Sequence, residues 1–94
     1  MAKFTFRKYQ VSGALASFAQ GGDIKLKGKV CGCYQKVRRG SESAWCVWLQ
    51  VETPGDGWRN VRLNAEFGSE EALRKWLQLR TDSLVGRYPL HFSE

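Results

Sequence analysis

Three stretches in the middle of the chain alternate apolar and polar residues with a period of two, which is the periodicity of strands. They cover residues 24–37, 44–53 and 58–67 and predict three consecutive strands. One parity predicts the face that packs on the core, and its members are Ile24, Leu26, Val30, Tyr34, Trp45, Val47, Leu49, Val51, Val61, Leu63, Ala65 and Phe67. Gly28 and Gly32 interrupt the first stretch and predict a strongly bent strand, because glycine inside a strand often marks a bulge.

The opposite parity carries basic, aromatic, amide and thiol side chains. Its members are Lys25, Lys27, Lys29, Cys31, Cys33, Cys46, Trp48, Gln50, Trp58, Asn60, Arg62 and Asn64. An ordinary solvated sheet face would carry Thr, Ser, Glu and Lys and would have little use for two tryptophans. This face is therefore the candidate functional surface.

Polar segments that contain glycine separate the three strands. Residues 38–43 predict the tip of a hairpin, where Arg38 and Arg39 are placed to close over the phosphates of a ligand. Residues 53–57, Thr-Pro-Gly-Asp-Gly, predict a tight turn, because proline presets φ and glycine accepts positive φ. The flanking strands are therefore expected to be antiparallel neighbours.

Shorter elements are predicted on both sides of this meander. Alternation at Phe4 and Phe6 predicts an edge strand over residues 3–9, and residues 12–22 fit either one or two helical turns or a loop. After the third strand, Ser69 offers an N-cap, and apolar residues recur at helical spacing up to about residue 80. Residues 81–83 are expected to turn the chain, and residues 87–93 to form a last strand. Pro89 cannot donate a ladder hydrogen bond, so an edge or terminal position is expected for this strand.

This order of elements predicts a single β-rich α+β domain over residues 1–94. Its sheet would be small, curved and antiparallel, with four or five strands and one main helix between the third meander strand and the last strand. The order resembles that of the five-stranded OB-type barrel. A barrel would need the N-terminal strand to close it, because no further strand follows residues 87–93. Without that closure the sheet is open, and the sequence leaves both forms possible.

Composition narrows the range of partners. The formal net charge is +6, which favours polyanions, above all nucleic acid, although solubility alone would also account for it. No apolar run approaches the roughly 20 residues that cross a bilayer, and no signal-peptide centre is seen, so a cytoplasmic protein with no membrane partner is expected. The three cysteines are expected to be reduced.

The leading hypothesis is a module that binds single-stranded DNA or RNA through basic and aromatic residues. In it the two tryptophans stack on bases, the basic residues neutralise phosphates and the asparagines read base edges. The predicted site consists of Lys25, Lys27, Lys29, Arg38, Arg39, Trp48, Trp58, Asn60, Arg62 and Asn64. The competing interpretation is a second core face, with the tryptophans buried under the helix or under residues 12–20.

Other functions are supported less well by the sequence. A small adaptor or inhibitor with a basic surface, of the kind that mobile elements encode, would bind an acidic protein partner. Edge pairing of residues 3–9 or 87–93 would also permit a homodimer. The three cysteines with His91 suggest a zinc site only weakly, because the Cys-x-Cys spacing in a strand leaves the thiols little freedom to converge. No catalytic motif is present, so no enzymatic activity and no cofactor are predicted.

Overall fold

The computed structural model describes residues 2–9 and 20–93. Five strands form one antiparallel sheet in sequence order: Thr5–Lys8 (β1), Gly21–Leu26 (β2), Lys29–Arg39 (β3), Glu42–Thr53 (β4) and Gly57–Phe67 (β5). Two helices follow, Glu70–Leu79 (α1) and Thr81–Arg87 (α2). The α+β class is thus confirmed. Within the described residues no ladder joins the edge strands β1 and β5, so the sheet is open. The predicted helix or loop of residues 12–22 lies mostly outside the described residues.

The predicted bent strand over residues 24–37 is in fact a hairpin. Lys27 and Gly28 have φ of 54° and 83°, and they form the two-residue turn between β2 and β3. A turn with positive φ at both central residues matches the twist of the flanking strands, which is why glycine is favoured there. The sequence interpretation was wrong because it took Gly28 for a bulge inside one strand.

A bulge does occur at Cys31, three residues after Gly28. The pairing of β2 with β3 shifts between Ile24 and Lys25, and this shift leaves Cys31 without a partner in the ladder. Cys31 consequently faces the core, where it is fully buried and its thiol lies 3.6 Å from the carbonyl oxygen of Ile24. Its predicted position on the opposite face was wrong for this reason. The same shift moves Val30 away from the core, because Val30 pairs with Lys25.

The core lies between one face of the sheet and the two helices. Most of the predicted core residues are buried there, together with four residues from outside the central strands, Phe4, Leu73, Leu77 and Leu84. Tyr34 is fully buried at the centre and lies opposite Gly22. A Cβ atom at Gly22 would collide with the Tyr34 ring and with the carbonyl oxygen of Arg7, so only glycine leaves enough room.

Helix α1 begins as the sequence predicts and is fastened to the sheet by a polar network. The Ser69 hydroxyl accepts the first capping bond from the Ala72 amide at 3.1 Å. The Tyr34 hydroxyl donates to Glu70 Oε1 at 2.8 Å, and Arg74 donates to both groups at 3.0 and 2.8 Å. Burial would raise the pKa of Glu70, but the hydrogen bonds from Tyr34 and Arg74 outweigh it and lower this pKa. Burial and the bond to Glu70 raise the pKa of Tyr34.

Residues 81–87 form a second helix where the sequence predicts a turn. Thr81 is buried, its hydroxyl donates to the Leu77 carbonyl at 3.1 Å, and it accepts from the Phe4 amide at 3.2 Å. Leu84 then packs into the core one turn later. The prediction was wrong because polar residues dominate the segment, whereas this one apolar contact and the Thr81 bonds are enough to hold a short helix.

The predicted last strand is reduced to two isolated bridges. Leu90 pairs with Val51 of β4, and Ser93 pairs with Val30 of β3. The β3–β4 ladder stops at the pair Gly32 and Leu49, so residues 89–93 enter the gap between the diverging ends of these strands. The segment is therefore internal to the sheet at this end, and the predicted edge position was wrong.

Candidate nucleic-acid interface

The candidate interface is the sheet face opposite α1 and α2, which we call the outer face. Directly opposed residues of antiparallel strands share a face. Trp48 is opposed to Cys33 on one side and to Arg62 on the other, and Gln50 is opposed to Asn60. The same alternation along β5 places Trp58, Asn64 and Glu66 on this face. Trp58 and Asn64 belong to the predicted site, and Glu66 does not. The two tryptophans and the polar residues of β5 thus lie on one surface.

Helix α1 does not cover the outer face. Its buried residues Leu73 and Leu77 pack in the core cluster on the other side of the sheet. The interpretation that places both tryptophans beneath this helix was therefore wrong. The other predicted cover, residues 12–20, lies outside the described residues except for Gln20. Trp48 is half-buried, and Trp58 is 41% exposed.

Arg62 contacts Trp48 and also both members of the neighbouring opposed pair, Cys46 and Glu66. Its guanidinium carbon lies 5.9 Å from the centre of the Trp48 ring system. Its Nη2 donates to Cys46 Sγ at 3.2 Å and to Glu66 Oε2 at 2.7 Å. A guanidinium at this distance is attracted to the π electrons of the indole. Since the Arg62 side chain is still 42% exposed, an aromatic surface and a cation are offered side by side.

An open groove lies next to this pair, at the end of β5. Its volume is about 350 Å³, and its lining consists of Arg39, Arg62, Leu63, Asn64, Ala65 and Glu66. The ladder between β4 and β5 shifts here, so that residues 63–65 stand opposite Val47 alone. This irregularity widens β5 locally and makes a recess in an otherwise continuous sheet. Arg39 reaches across from β3, and its Nη2 forms an ion pair with Glu66 Oε2 at 2.5 Å.

Trp58 forms the other end of the outer face. Its ring stacks on the imidazole of His91, with 4.8 Å between centroids and 10° between planes. His91 Nδ1 lies 2.9 Å from Glu52 Oε1, and Glu52 is opposed to Trp58 in the β4–β5 ladder. The indole is therefore held on one side by the imidazole while a large part of it meets solvent.

The predicted basic residues do not form a single row. Lys25 lies on the outer face, opposite Val30, and Lys27 occupies the β2–β3 turn. Lys29 is opposed to the buried Leu26, and Arg38 has the parity of the Trp45 side, so both belong to the side of the helices. Of the two arginines predicted at the hairpin tip, only Arg39 reaches the groove.

The thiols and the histidine are separated by the fold. Cys31 is on the core side, and Cys33 and Cys46 are on the outer face. The His91 ring stacks on Trp58 and bonds to Glu52. Across residues 2–9 and 20–93 no group of three or more His, Cys, Asp and Glu side chains is arranged to hold a metal ion.

Two weak acids in the part of the outer face nearest β2, the Cys33 thiol and the Tyr9 phenol, have raised pKa values. Burial raises the pKa of Cys33, a hydrogen bond with Tyr9 opposes the rise, and the charge of Asp23 adds to it. Burial likewise raises the pKa of Tyr9. Both groups are consequently neutral at physiological pH, and the positive charge of this face comes from Lys25 and the arginines.

Sequence reasoning did not include Glu66 in the site, although a signal was present. The alternation that selects Asn60, Arg62 and Asn64 continues directly to Glu66. A carboxylate does not fit a polyanion site by its charge alone, which is why the pattern of cations and aromatic rings excludes it. Its two arginine bonds place it at the centre of the groove.

The comparisons with known proteins gave no match: no family model, no curated protein and no solved structure is significantly similar to this chain. Neither α1 nor α2 has the length and apolar character that a bilayer-spanning helix needs, and this finding covers the described residues alone.

Proposed function

We propose that this protein binds single-stranded nucleic acid on its outer face. The observation that carries the proposal is the common placement of Trp48, Trp58, Asn60 and Arg62 on the sheet face that the helices leave uncovered. Indole rings stack on unpaired bases of any sequence, and each such contact contributes roughly 1–3 kcal/mol. A charge of +6 on so small a chain favours a polyanion further.

The bound strand would run along β4 and β5. Trp48 and Trp58 are separated along the sheet by about four residues of strand, or roughly 13 Å. The bases that stack on them are therefore not consecutive. Arg62, beside Trp48, would neutralise a phosphate, and Asn60 and Asn64 would offer amide groups to base edges between and beyond the rings.

The curved sheet with aromatic and basic side chains is the feature that this chain would share with OB-type domains. In those domains a sheet surface binds oligonucleotides by stacking and by backbone neutralisation. The proposal extends the likeness to the mode of binding and does not require a closed barrel.

The test is a fluorescence titration with an oligonucleotide of about 12 nucleotides, within the usual site size of such folds. We expect quenching of tryptophan fluorescence and an affinity that falls steeply with salt. Trp48→Ala should weaken binding by about 1–3 kcal/mol. Arg62→Ala should reduce the salt slope by about one. Trp76→Phe, on α1, is the matched control and should leave the affinity unchanged, because Trp76 packs on Phe67 on the core side.

Unchanged fluorescence at low salt with excess oligonucleotide would refute this function. A complex with an acidic protein that survives nuclease and high salt would instead support the adaptor hypothesis. The affinities are to be compared only for variants whose unfolding curves match that of the parent, so that loss of folding is not mistaken for loss of binding.

A further inference from the structure

A carboxylate lies at the centre of the most cationic part of the outer face. Glu66 is flanked by Arg39 and Arg62 in the groove at the end of β5, and its side chain is 38% exposed. A carboxylate repels phosphate, so a groove that served only the nucleic-acid backbone would be weakened by it. The carboxylate is paired with both arginines, and it would in addition suit a ligand group that donates hydrogen bonds.

The contacts within the groove leave one carboxylate oxygen and several guanidinium N–H groups for a ligand. Nη2 of Arg62 donates to Glu66 Oε2, and Nη2 of Arg39 forms an ion pair with the same oxygen. Among the described residues, Glu66 Oε1 takes part in no hydrogen bond. A guanidinium carries five N–H donors, so Arg39 and Arg62 both retain donors, although Arg62 also donates to Cys46. The groove thus presents one carboxylate acceptor next to several guanidinium donors.

Cytosine complements this set through its pairing edge, and adenine, with N6–H beside N1, offers the same first donor and acceptor without a second acceptor. The pairing edge of cytosine has a donor, N4–H, followed by two acceptors, N3 and O2. In uracil and thymine the donor is replaced by the acceptor O4, which would face the carboxylate oxygen. Guanine would require two carboxylate acceptors, and Oε2 is already shared by two arginines. A carboxylate that accepts from cytosine N4 is an established mode of base recognition.

We propose that the Arg39–Glu66–Arg62 groove is a base-reading subsite that selects cytosine over uracil and thymine in a single strand. Glu66 Oε1 accepts from N4–H, and a guanidinium N–H donates to N3 or O2. The subsite lies beside Trp48, whose indole is 5.9 Å from the Arg62 guanidinium, so a base in the groove would neighbour one stacked on the ring. This inference rests on the proposed function and gives the outer face a sequence preference.

The experiment compares oligo(dC) with oligo(dU), each of about 12 nucleotides, at slightly alkaline pH so that oligo(dC) stays single-stranded. The two probes differ at the 4-position and at N3, which are the atoms that the groove reads. We expect the parent protein to bind oligo(dC) about tenfold more tightly, which is within the usual range for one well-made base contact. Oligo(rC) and oligo(U) should show the same preference, because the base edges are the same in RNA.

Glu66→Gln is the decisive variant. Its amide keeps the size of the side chain but can donate to O4, so the preference for oligo(dC) should disappear or reverse. Glu71→Gln is the matched control, because it changes the net charge equally at an exposed position in the first turn of α1, and it should retain the preference.

Each outcome separates the subsite from the general function. Quenching by both oligonucleotides with equal affinity would overturn the cytosine subsite and leave single-strand binding in place. A cytosine preference that persists in Glu66→Gln would also overturn the subsite, because the discrimination would then arise elsewhere. Absence of binding to either probe would refute both proposals.

Discussion

Removal of the Tyr34 hydroxyl gives the sharpest test of how α1 is held on the sheet. Tyr34 is fully buried, and its hydroxyl donates to Glu70 Oε1 at 2.8 Å and accepts from Arg74 Nη2 at 3.0 Å. Tyr34→Phe keeps the ring and deletes both bonds. Hydrogen bonds to charged groups contribute about 1.5–3 kcal/mol, but Glu70 and Arg74 stay paired with each other at 2.8 Å. We therefore expect a loss near 2 kcal/mol, which corresponds to a melting temperature lower by roughly 8–16 °C.

The pH dependence distinguishes this network from a simple packing defect. The folded-state pKa of Glu70 is lowered, so the stabilisation is present above the ordinary glutamate pKa of about 4.3 and is lost as pH falls through the lowered value. Since Tyr34→Phe removes one cause of the lowering, the variant and the parent should converge in stability under acid conditions. Urea unfolding at neutral pH and below about pH 4 measures both differences.

Tyr88→Phe is the control for this measurement. Tyr88 is half-buried against the core, and its hydroxyl makes no hydrogen bond within the described residues, so its loss should change stability by less than about 0.5 kcal/mol. Equal stability of Tyr34→Phe and the parent at neutral pH would refute the reasoning. So would a difference that stays constant as the acid range is entered.

Three further predictions concern stability and reactivity. Gly22→Ala should lower the free energy of unfolding by about 1–3 kcal/mol, as measured by chemical denaturation. Gly86→Ala, which has open space around it in α2, should raise it by about 0.5–1 kcal/mol. Equal effects of the two substitutions would contradict the close approach at Gly22. Burial raises the pKa of the Cys31 thiol to about 12, so this thiol should resist alkylating reagents at neutral pH until the chain unfolds, as mass spectrometry of labelled peptides can check. Ser69→Ala should lower the free energy of unfolding by about 1 kcal/mol through loss of the N-cap, and a neutral result would show that the cap is dispensable.

The central meander could be predicted because its signals are local. Alternation in β4 and β5 assigns the faces correctly for two reasons. Pro54 and the two glycines after it fix the turn between the strands. The irregularity in their ladder adds two residues to β5, so that residues on either side of it keep the same face. The β2–β3 region could not be assigned in the same way. One extra residue at Cys31 exchanges the faces of Lys29 and Val30, whereas Ile24, Lys25 and Leu26 keep the faces that the alternation predicts; the position of the bulge depends on pairing with Ile24, which the linear pattern does not contain.

The candidate site was predictable in its aromatic part and less so in its charged part. Trp48, Trp58 and Arg62 follow from strand parity alone. The lysines at 25, 27 and 29 looked equivalent by spacing, but a hairpin turn and a bulge divide them between a turn and two faces. The groove itself depends on Arg39 crossing β4 to reach Glu66, a contact between residues far apart in sequence that no periodicity reveals.

The insertion of residues 89–93 between β3 and β4 has a consequence for the order of folding. Ser93 exchanges two backbone hydrogen bonds with Val30 of β3, at 2.7 and 2.8 Å, while Pro89 and His91 bond to β4, so the full set needs both flanking strands. The hairpins need only local chain closure, so they can assemble first, and this segment docks last. On unfolding, we expect the same segment to detach from the sheet first. We expect its amides to exchange hydrogen with solvent through a small opening that keeps the meander intact, well before the amides inside β4.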